Sequence, residues 1–300
     1  MEKIEIKLPS NMTMASTSNT CKHINEYGYE REFPLYRADL LGAGYEQYGS
    51  DLICLECLRI KEQERFQKEI SEYTEEQERN KRKNTLSYRS VFSDQSIKEA
   101  GFKNFDATTA EERYNLEQAK KIVEGYKLVY ADKAENFTTL LTGNTGVGKT
   151  HLAMSILRNL NHTLDDVECL FINVRRMLLM IKNSFSNPDD KHTQMYFIDL
   201  MSRVDFLVID DLGNETGDDK AKQWIKDILT EILEARQTKC TIVTSNYTRS
   251  DLTRAYGDDA GMSALVSRLL KNTLVVQFKE TSDKRVKAVN IDDILSGGAQ

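Results

Sequence analysis

The C-terminal two-thirds of the chain alternates between two hydrophobic patterns. From about residue 110, short apolar runs are separated by stretches in which apolar positions recur at helical spacing. The apolar runs predict strands at Phe137–Thr142, Leu170–Val174, Asp205–Ile209, Cys240–Thr244 and Leu274–Phe278. The other stretches predict helices at 110–130, Lys149–Asn161, Arg175–Asn183, Tyr196–Ser202 and Asp219–Arg236. This alternation predicts an α/β fold with a central parallel sheet covered on both faces.

The segment before this region has a different pattern. Of the 25 residues from 59 to 83, 15 are charged, and none is Gly or Pro. Phe66, Ile70 and Tyr73 form only a thin apolar stripe, which is typical of a solvated helical spacer. We therefore expect a small N-terminal domain at 1–58, a charged helical linker at 59–100 and an α/β domain at 101–300.

Composition places the chain among soluble globular proteins. It is 40% hydrophobic and 29% charged, and no apolar run approaches the roughly 20 residues of a membrane span. The N-terminus has no apolar signal segment, so a cytoplasmic protein without membrane contact is expected. The net charge of −6 argues against a protein that coats nucleic acid with its whole surface, and leaves only a local patch or groove for that purpose.

The strongest motif follows the first predicted strand of the α/β domain. It has the pattern G-x-x-x-x-G-K-[ST], and its residues are Gly143, Asn144, Thr145, Gly146, Val147, Gly148, Lys149 and Thr150. Such a loop turns backbone N–H groups toward phosphate oxygens at a helix N-terminus. Lys149 is expected to reach the β- and γ-phosphates of ATP, and the Thr150 hydroxyl is expected to ligate Mg²⁺.

Polar residues after two later strands complete this prediction. Asp210 and Asp211 follow the apolar run 206–209, and Asn246 follows the next strand along the chain. Asp210 is predicted to hold Mg²⁺ together with Thr150, and Asp211 to polarise the attacking water. Asn246 is predicted to orient that water against the γ-phosphate.

Four soft ligands lie near the N-terminus in two pairs. Cys21 and His23 form one pair, and Cys54 and Cys57 form a C-x-x-C pair 30 residues later. The C-x-x-C pair is a usual half of a tetrahedral zinc site. Bound Zn²⁺ would contribute folding free energy to a domain of fewer than 60 residues, whose own core is small.

The motifs together resemble those of a known family. The segments GNTGVGKTHLA (143–153), FLVIDDLG (206–213), TIVTSNY (241–247) and VSRLL (266–270) are similar to those of DnaC/DnaI-type replicative helicase loaders, which are AAA+ ATPases. Transposition helper ATPases of the IstB type share this domain. The resemblance covers roughly residues 100–290, and the N-terminal zinc module resembles that of the DnaI subgroup, in which it contacts the helicase.

The resemblance also implies roles for single residues. Asn246 corresponds to the sensor 1 residue, Arg285 to the sensor 2 arginine, and Arg268 to the arginine finger that completes the ATP site of a neighbouring copy. His151 is placed with the nucleotide-binding residues, as a packing or hydrogen-bonding group. One position departs from the family pattern: Ala264 stands where a second arginine is usual, which puts the strength of this trans-acting arrangement in doubt.

The implied function is ATP-dependent loading of the hexameric replicative DNA helicase onto single-stranded DNA. The N-terminal domain would bind the helicase, and the AAA+ domain would associate with its own copies. Arg175, Arg176 and Lys182 are candidate DNA contacts, although a solvated helical face explains them equally well. Two alternatives remain: a transposition helper that acts with a transposase on duplex DNA, and a nucleotide-switched binding protein with little turnover.

Overall fold

The structure is a computed structural model that describes residues 20–24, 30–38, 46–48, 52–187, 189–213, 219–257 and 263–284. The chain divides into two compact units, Met1–Gln77 and Glu78–Gln300. Within the described part of the chain, none of the helices combines the length and apolar character that crossing a membrane requires.

The first unit contains two short antiparallel strand pairs. Strand β1 (Thr20–Ile24) pairs with β2 (Glu30–Pro34), and β3 (Tyr36–Arg37) pairs with β4 (Leu52–Ile53). The described core of this unit is small. It consists of the buried side chains of Ala38 and Ile53 with partly buried neighbours, which are Tyr36, Tyr48, Leu55 and Leu58. So little apolar burial contributes little stabilisation, which is the situation in which small domains use a metal.

A long charged helix follows the second strand pair. Helix α1 spans Leu55–Lys83, and none of its residues is buried. The side chains of Phe66, Ile70 and Tyr73 are exposed, in keeping with the solvated helix that the sequence predicts. Pairs of opposite charge at helical spacing, such as Arg65 with Glu69 at 3.2 Å, add the small support that exposed ion pairs give.

The second unit is built on one parallel sheet. Its strands are β5 (Thr138–Gly143), β6 (Cys169–Asn173), β7 (Phe206–Leu212), β8 (Cys240–Ser245) and β9 (Thr273–Phe278). Their order across the sheet is β6-β7-β8-β5-β9, and each neighbouring pair is parallel. The described helices of this unit after α1 are α2 (Thr85–Tyr88), α3 (Ala110–Tyr130), α4 (Lys149–Thr163), α5 (Val174–Ser184), α6 (Gln194–Arg203), α7 (Asp219–Ala235), α8 (Arg249–Tyr256) and α9 (Ala264–Leu269).

The sheet separates two hydrophobic clusters. Leu140 and Leu141 are successive residues of β5, and they point into different clusters because side chains alternate along a strand. The cluster around Leu140 is filled from α5, α6, α7, α8 and α9, and the one around Leu141 from α3 and α4. Every residue of β6 and β8 is buried. The predicted α/β fold with a doubly covered parallel sheet is therefore confirmed.

Residues 84–100, which the sequence places in the linker, belong to the second unit and pack into its core. Leu86, Phe92 and Ala100 are buried in the same cluster as Leu141. Val91 forms an isolated parallel bridge with Ile172 at the β6 edge of the sheet. The predicted domain boundaries at residues 58 and 100 stay a prediction, but the packing gives this segment a place in the core.

Candidate functional site

The glycine-rich loop joins the end of β5 to the start of α4. Gly143, Gly146 and Gly148 have positive φ angles of 148°, 80° and 98°. Glycine adopts such angles without strain, and they let the backbone curl in front of α4. A Cβ on Gly148 would lie 2.8 Å from the ring of Phe105, so packing also excludes a side chain there. The loop has the backbone form of an anion site at a helix N-terminus.

Lys149 is the first residue of α4, and its buried side chain turns back over the loop. Its Nζ donates hydrogen bonds to the carbonyl oxygens of Gly143 at 2.8 Å and Asn144 at 2.6 Å, and to Oδ1 of Asn246 at 2.9 Å. Asn246 reaches this lysine because β8 lies next to β5 and Asn246 follows β8 directly. The fold therefore brings together two of the predicted site residues at the mouth of the loop.

The carboxylate of Asp210 in β7 is surrounded by hydrogen-bond donors. Its Oδ1 accepts from the hydroxyls of Thr150 and Thr244, both at 2.8 Å. Its Oδ2 accepts from Nδ2 of Asn173 at 3.0 Å. Burial raises the pKa of Asp210 above its usual range, although these hydrogen bonds act in the opposite direction. A cation beside the carboxylate would favour the ionised form, and the adjoining hydroxyl of Thr150 could serve as a second hard oxygen ligand.

Asn173 and Thr244 are site residues to which the sequence analysis assigns no role. Asn173 ends β6 and Thr244 is the penultimate residue of β8, so they flank β7 from both sides. Carboxyl ends of parallel strands meet at one edge of a sheet, and a search for polar residues at those ends would have found both. Asn173 also caps α5, because its Oδ1 accepts a hydrogen bond from the backbone N of Arg176 at 3.1 Å.

Asp211 is held in an uncommon backbone conformation. Its φ angle is +65°, and its backbone N donates to the Thr244 hydroxyl at 2.9 Å. The pairing of β7 with β8 is irregular between Ile209 and Leu212, so the strand departs from its ladder at the two carboxylates. Such bulges re-aim side chains, and positive φ at a residue other than glycine is a form of strain that occurs at functional sites. Asp211 lines the same cleft as Asp210.

The cleft over the loop has a volume of about 480 Å³. His151, which follows Thr150 directly, lines it beside the loop and the carboxylates. The lining residues from elsewhere in the chain are Ser93, Ile97, Asn104, Phe105, Asp106 and Lys284. His151 packs edge-on against the Phe105 ring with a centroid distance of 5.3 Å, and its Nε2 lies 3.0 Å from the carbonyl oxygen of Gly101. A cleft of mixed polar and apolar lining beside a phosphate loop suits a nucleotide.

The two predicted arginines have different outcomes. Arg268, in α9, donates to the Ala264 carbonyl at 3.0 Å and forms an ion pair with Glu234 of α7. It lines a small depression with Thr138 and Thr241, which lie at the amino-terminal edge of the sheet, whereas the phosphate loop lies at the carboxyl edge. Arg268 therefore does not belong to the described residues that line the nucleotide cleft of its own chain. Arg285 lies outside the described residues.

The three candidate DNA-binding residues lie on one helix. Arg175, Arg176 and Lys182 are all exposed on α5. Their exposure is compatible with phosphate contacts and equally with a solvated helix surface, so both interpretations stay open.

The four soft ligands of the first unit converge in the structure. Cys21 and His23 lie two residues apart on β1, Cys54 lies directly before α1, and Cys57 lies in its first turn. Nε2 of His23 is 3.4 Å from the Sγ atoms of both Cys54 and Cys57, and the Sγ atoms of Cys21 and Cys57 are 3.5 Å apart. All four ligand atoms lie within 4.8 Å of one another.

These distances fit a tetrahedral zinc site. Bonds of about 2.3 Å to sulfur and about 2.0 Å to nitrogen place tetrahedral ligand atoms about 3.5–3.8 Å apart. Burial and the neighbouring thiols of Cys21 and Cys54 raise the pKa of Cys57 to about 12. A divalent cation reverses that preference, because it stabilises thiolates. The His23 ring also packs edge-on against Phe33 at 5.2 Å, which fixes its orientation.

The sheet order, the phosphate loop and the two carboxylates near the end of β7 define a P-loop nucleotide-binding domain of the AAA+ class. Residues 61–290 match the family described as IstB-like ATP binding protein, and the chain belongs to that family. The predicted AAA+ fold and ATPase class are thereby confirmed, as is the resemblance to the domain shared by loaders and transposition helpers. No curated protein matches the chain.

Several solved structures are similar to this chain. A crystal structure of DnaI has 22% sequence identity and a TM-score of 0.50, over 63% of this chain and 96% of that one. A putative primosome component from Streptococcus pyogenes has 22% identity and a TM-score of 0.47, over 65% of this chain and 93% of that one. The DnaC helicase loader has 21% identity and a TM-score of 0.48, over 62% of this chain and 100% of that one. At these identities the likeness concerns the fold.

Proposed function

We propose that the protein is an ATP-dependent loader of a hexameric replicative DNA helicase onto single-stranded DNA. The observation that carries the proposal is the Cys/His cluster in a unit of its own, ahead of the ATP-binding domain. This arrangement resembles that of DnaI-type loaders, in which a zinc module contacts the helicase. The proposed cofactors are Zn²⁺ in the first unit and Mg²⁺ with ATP in the second.

The nucleotide chemistry is assigned to residues around the phosphate loop. The backbone N–H groups of 143–148 and the ammonium of Lys149 bind the phosphates. Thr150 and Asp210 would hold Mg²⁺, which neutralises charge on the β- and γ-phosphates when bound. Asp211 accepts a hydrogen bond from the attacking water and orients it, while the Asn246 side chain fixes the position of that water against the γ-phosphate.

Self-association is proposed to complete the site. Arg268 lies at the sheet edge opposite its own loop, which supports a role in the site of a neighbouring copy. A guanidinium that reaches the γ-phosphate of the neighbour stabilises charge that develops in the transition state. Arg285, next to the cleft residue Lys284 in sequence, is proposed as the sensor 2 arginine.

The two units are proposed to bind different partners. The region 1–58, with Cys21, His23, Cys54 and Cys57, is proposed to bind the helicase. Single-stranded DNA is proposed to contact the AAA+ domain through Arg175, Arg176 and Lys182. Three charges release few counterions, so DNA affinity should be weak and should fall with rising salt concentration.

One observation favours a transposition helper as the second candidate. The matching family is described as IstB-like, and it spans residues 61–290 without the Cys/His cluster. In that case the same ATP site would act with a transposase on duplex DNA. The Cys/His unit and the net charge of −6 favour the loader.

Native mass spectrometry of the full chain with the replicative helicase of the same cell tests the proposal. With ATP and Mg²⁺, the loader predicts a helicase hexamer that carries several copies of this chain. The control is the variant with Cys54→Ser and Cys57→Ser, which should lose both zinc and the helicase while it still binds ATP. A wild-type chain that holds zinc and ATP but ignores the helicase would contradict the loader and favour the transposition helper.

A further inference from the structure

The chain leaves β9 at Phe278 and continues as a six-residue segment, Lys279–Lys284, which we name the strap. The strap contains no helix or strand, so side-chain contacts must hold it. The main contact is the carboxylate of Glu111 in the first turn of α3. Its Oε1 accepts from the backbone N of Lys279 at 2.7 Å. Its Oε2 accepts from the backbone N of Glu280 at 3.0 Å and from the N and hydroxyl of Thr281 at 2.8 and 2.6 Å.

The far end of the strap lies against the phosphate loop. The backbone N of Lys284 donates to the carbonyl oxygen of Gly146 at 3.1 Å. A Cβ on Gly146 would come within 1.7 Å of Oδ1 of Asp283, so strap and loop are in close contact. The Lys284 ammonium lies 5.2 Å from the centroid of the Phe105 ring and pairs with Glu112 at 2.9 Å. Lys284, at the end of the strap, thus lines the nucleotide cleft.

We propose that Glu111 is a positioning residue of the nucleotide site, which acts by holding the strap against the phosphate loop. Glu111 is outside the set of described residues that line the cleft, and it acts on ATP only through Lys284 and the loop. The Glu111 carboxylate accepts hydrogen bonds from three successive backbone N–H groups of the strap. Because the strap contains no helix or strand, regular structure does not pair these groups. Without the Glu111 carboxylate, the strap is less constrained in the absence of ATP. Binding of ATP must then order the strap, and that entropy cost lowers the affinity for ATP.

The test compares two substitutions at Glu111 in the full chain. Glu111→Gln removes the charge and replaces one acceptor oxygen by a donor. Glu111→Asp keeps a negative charge at the start of α3 but withdraws it by one methylene from the strap. A fluorescent ATP analogue should bind about tenfold more weakly to both variants, since hydrogen bonds to a charged group are lost in each. Hydrogen exchange of 279–284 should become faster in both when nucleotide is absent.

The matched control is Glu124→Gln, an exposed glutamate of the same helix that pairs with Lys127. It should leave ATP affinity and strap exchange unchanged. Normal ATP affinity in Glu111→Asp with weak binding in Glu111→Gln would mean that only charge at the helix end matters, and would overturn the proposal. Faster strap exchange with unchanged ATP affinity would overturn it as well.

A second variant covers the case in which Glu111→Gln fails to fold. Thr281→Val removes the hydroxyl hydrogen bond to Glu111 from the strap side. It should raise the Michaelis constant for ATP more than it lowers turnover at saturating ATP, because bound nucleotide restores the strap. Equal losses of affinity and turnover, or no change in either, would contradict a positioning role.

Discussion

Asn173 connects a helix cap to the carboxylate proposed to hold Mg²⁺. Its Oδ1 accepts from the backbone N of Arg176 while its Nδ2 donates to Asp210, so both ends of the amide are fixed. A substitution that keeps the hydrogen bond to Arg176 but removes the one to Asp210 should therefore leave helix α5 stable and change only the electrostatics at Asp210.

Asn173→Asp is such a substitution. Aspartate is as good an N-cap as asparagine, so α5 should keep its stability. The new carboxylate faces Asp210, raises the pKa of that group further and removes its donor. At acidic pH, where the higher pKa leaves more Asp210 protonated, we expect the Mg²⁺ concentration that supports half-maximal ATP turnover to rise, as measured in a magnesium titration.

The pH dependence of Mg²⁺ affinity, compared with that of a second variant, tests the cause of this effect. Asp210 already has a raised pKa, so Mg²⁺ affinity falls on acidification as the carboxylate becomes protonated. In Asn173→Asp this fall should begin at a higher pH than in the wild type. Asn173→Ser keeps a capping oxygen and adds no charge, so it should shift the pH profile less. Identical profiles in all three proteins would contradict the assignment of Asp210 as the metal-holding carboxylate.

Helix α3 begins with a capping box that also serves the strap. Glu112 is buried, and it accepts from the backbone N of Thr108 at 2.7 Å and of Thr109 at 2.8 Å. Although burial acts to raise it, hydrogen bonds from the Thr109 backbone and from Lys284 lower the pKa of Glu112 to about 2. The ionised carboxylate therefore stabilises the folded state at neutral pH.

Glu112→Gln should lower the free energy of unfolding by about 2 kcal/mol at neutral pH. Because the folded-state pKa is depressed, this contribution is present above the unfolded pKa of about 4.3 and is lost as pH falls toward about 2. Urea unfolding at several pH values measures the difference. The exposed Glu117→Gln on the same helix should have little effect. A deficit that does not change with pH would show that charge is not the cause.

Elements with a strong hydrophobic period were predictable from the sequence. Helix α3 and the five strands of the sheet lie where the apolar pattern puts them, with shifts at their ends. The bridge at Val91 was not predictable, because a single pairing residue leaves no period to detect. Within the site, the phosphate loop and Asp210 follow from local motifs. Asn173 could have been found as a polar residue at the end of a strand. Glu111 could not, because its role depends on contacts with a distant segment, which sequence spacing does not encode.

The two units should respond independently to loss of metal. The described core of the first unit is small, so the Cys/His cluster must supply much of its stability if zinc binds there. The second unit has its own two-sided core and does not contain the cluster. Removal of zinc should therefore unfold the two described strand pairs of the first unit and leave ATP affinity unchanged.

Chelator titration of the full chain, followed by hydrogen exchange, measures this independence. Exchange should rise across 20–58 and stay slow in β5 and β8. Cys240→Ala is the matched control, because it removes a cysteine of the second unit and should leave zinc content unchanged. Loss of ATP binding on chelation would mean that the metal also supports the second unit.

The trans role of Arg268 can be tested by mixing two inactive proteins. Lys149→Ala should fail to bind ATP but keep its arginine, whereas Arg268→Ala should bind ATP and lose turnover. Neither is active alone, yet a mixed assembly contains sites in which an Arg268→Ala copy binds ATP beside an intact arginine from a Lys149→Ala copy. We expect an equimolar mixture to regain about a quarter of wild-type turnover, since random pairing gives that share of competent sites.

The mixing experiment needs a control arginine and has two decisive outcomes for Arg268. Arg254→Ala, an exposed arginine on α8, is the matched control and should turn over ATP like the wild type. Recovery in the mixture requires that Arg268 act across an interface, because a residue serving its own site cannot complement another copy. Equal turnover in Arg268→Ala and wild type would instead mean that Arg268 serves only its pair with Glu234. If that shared turnover were also negligible, with Ala264 in place of a second arginine, the ATP site would act as a binding switch rather than as a coupled ATPase.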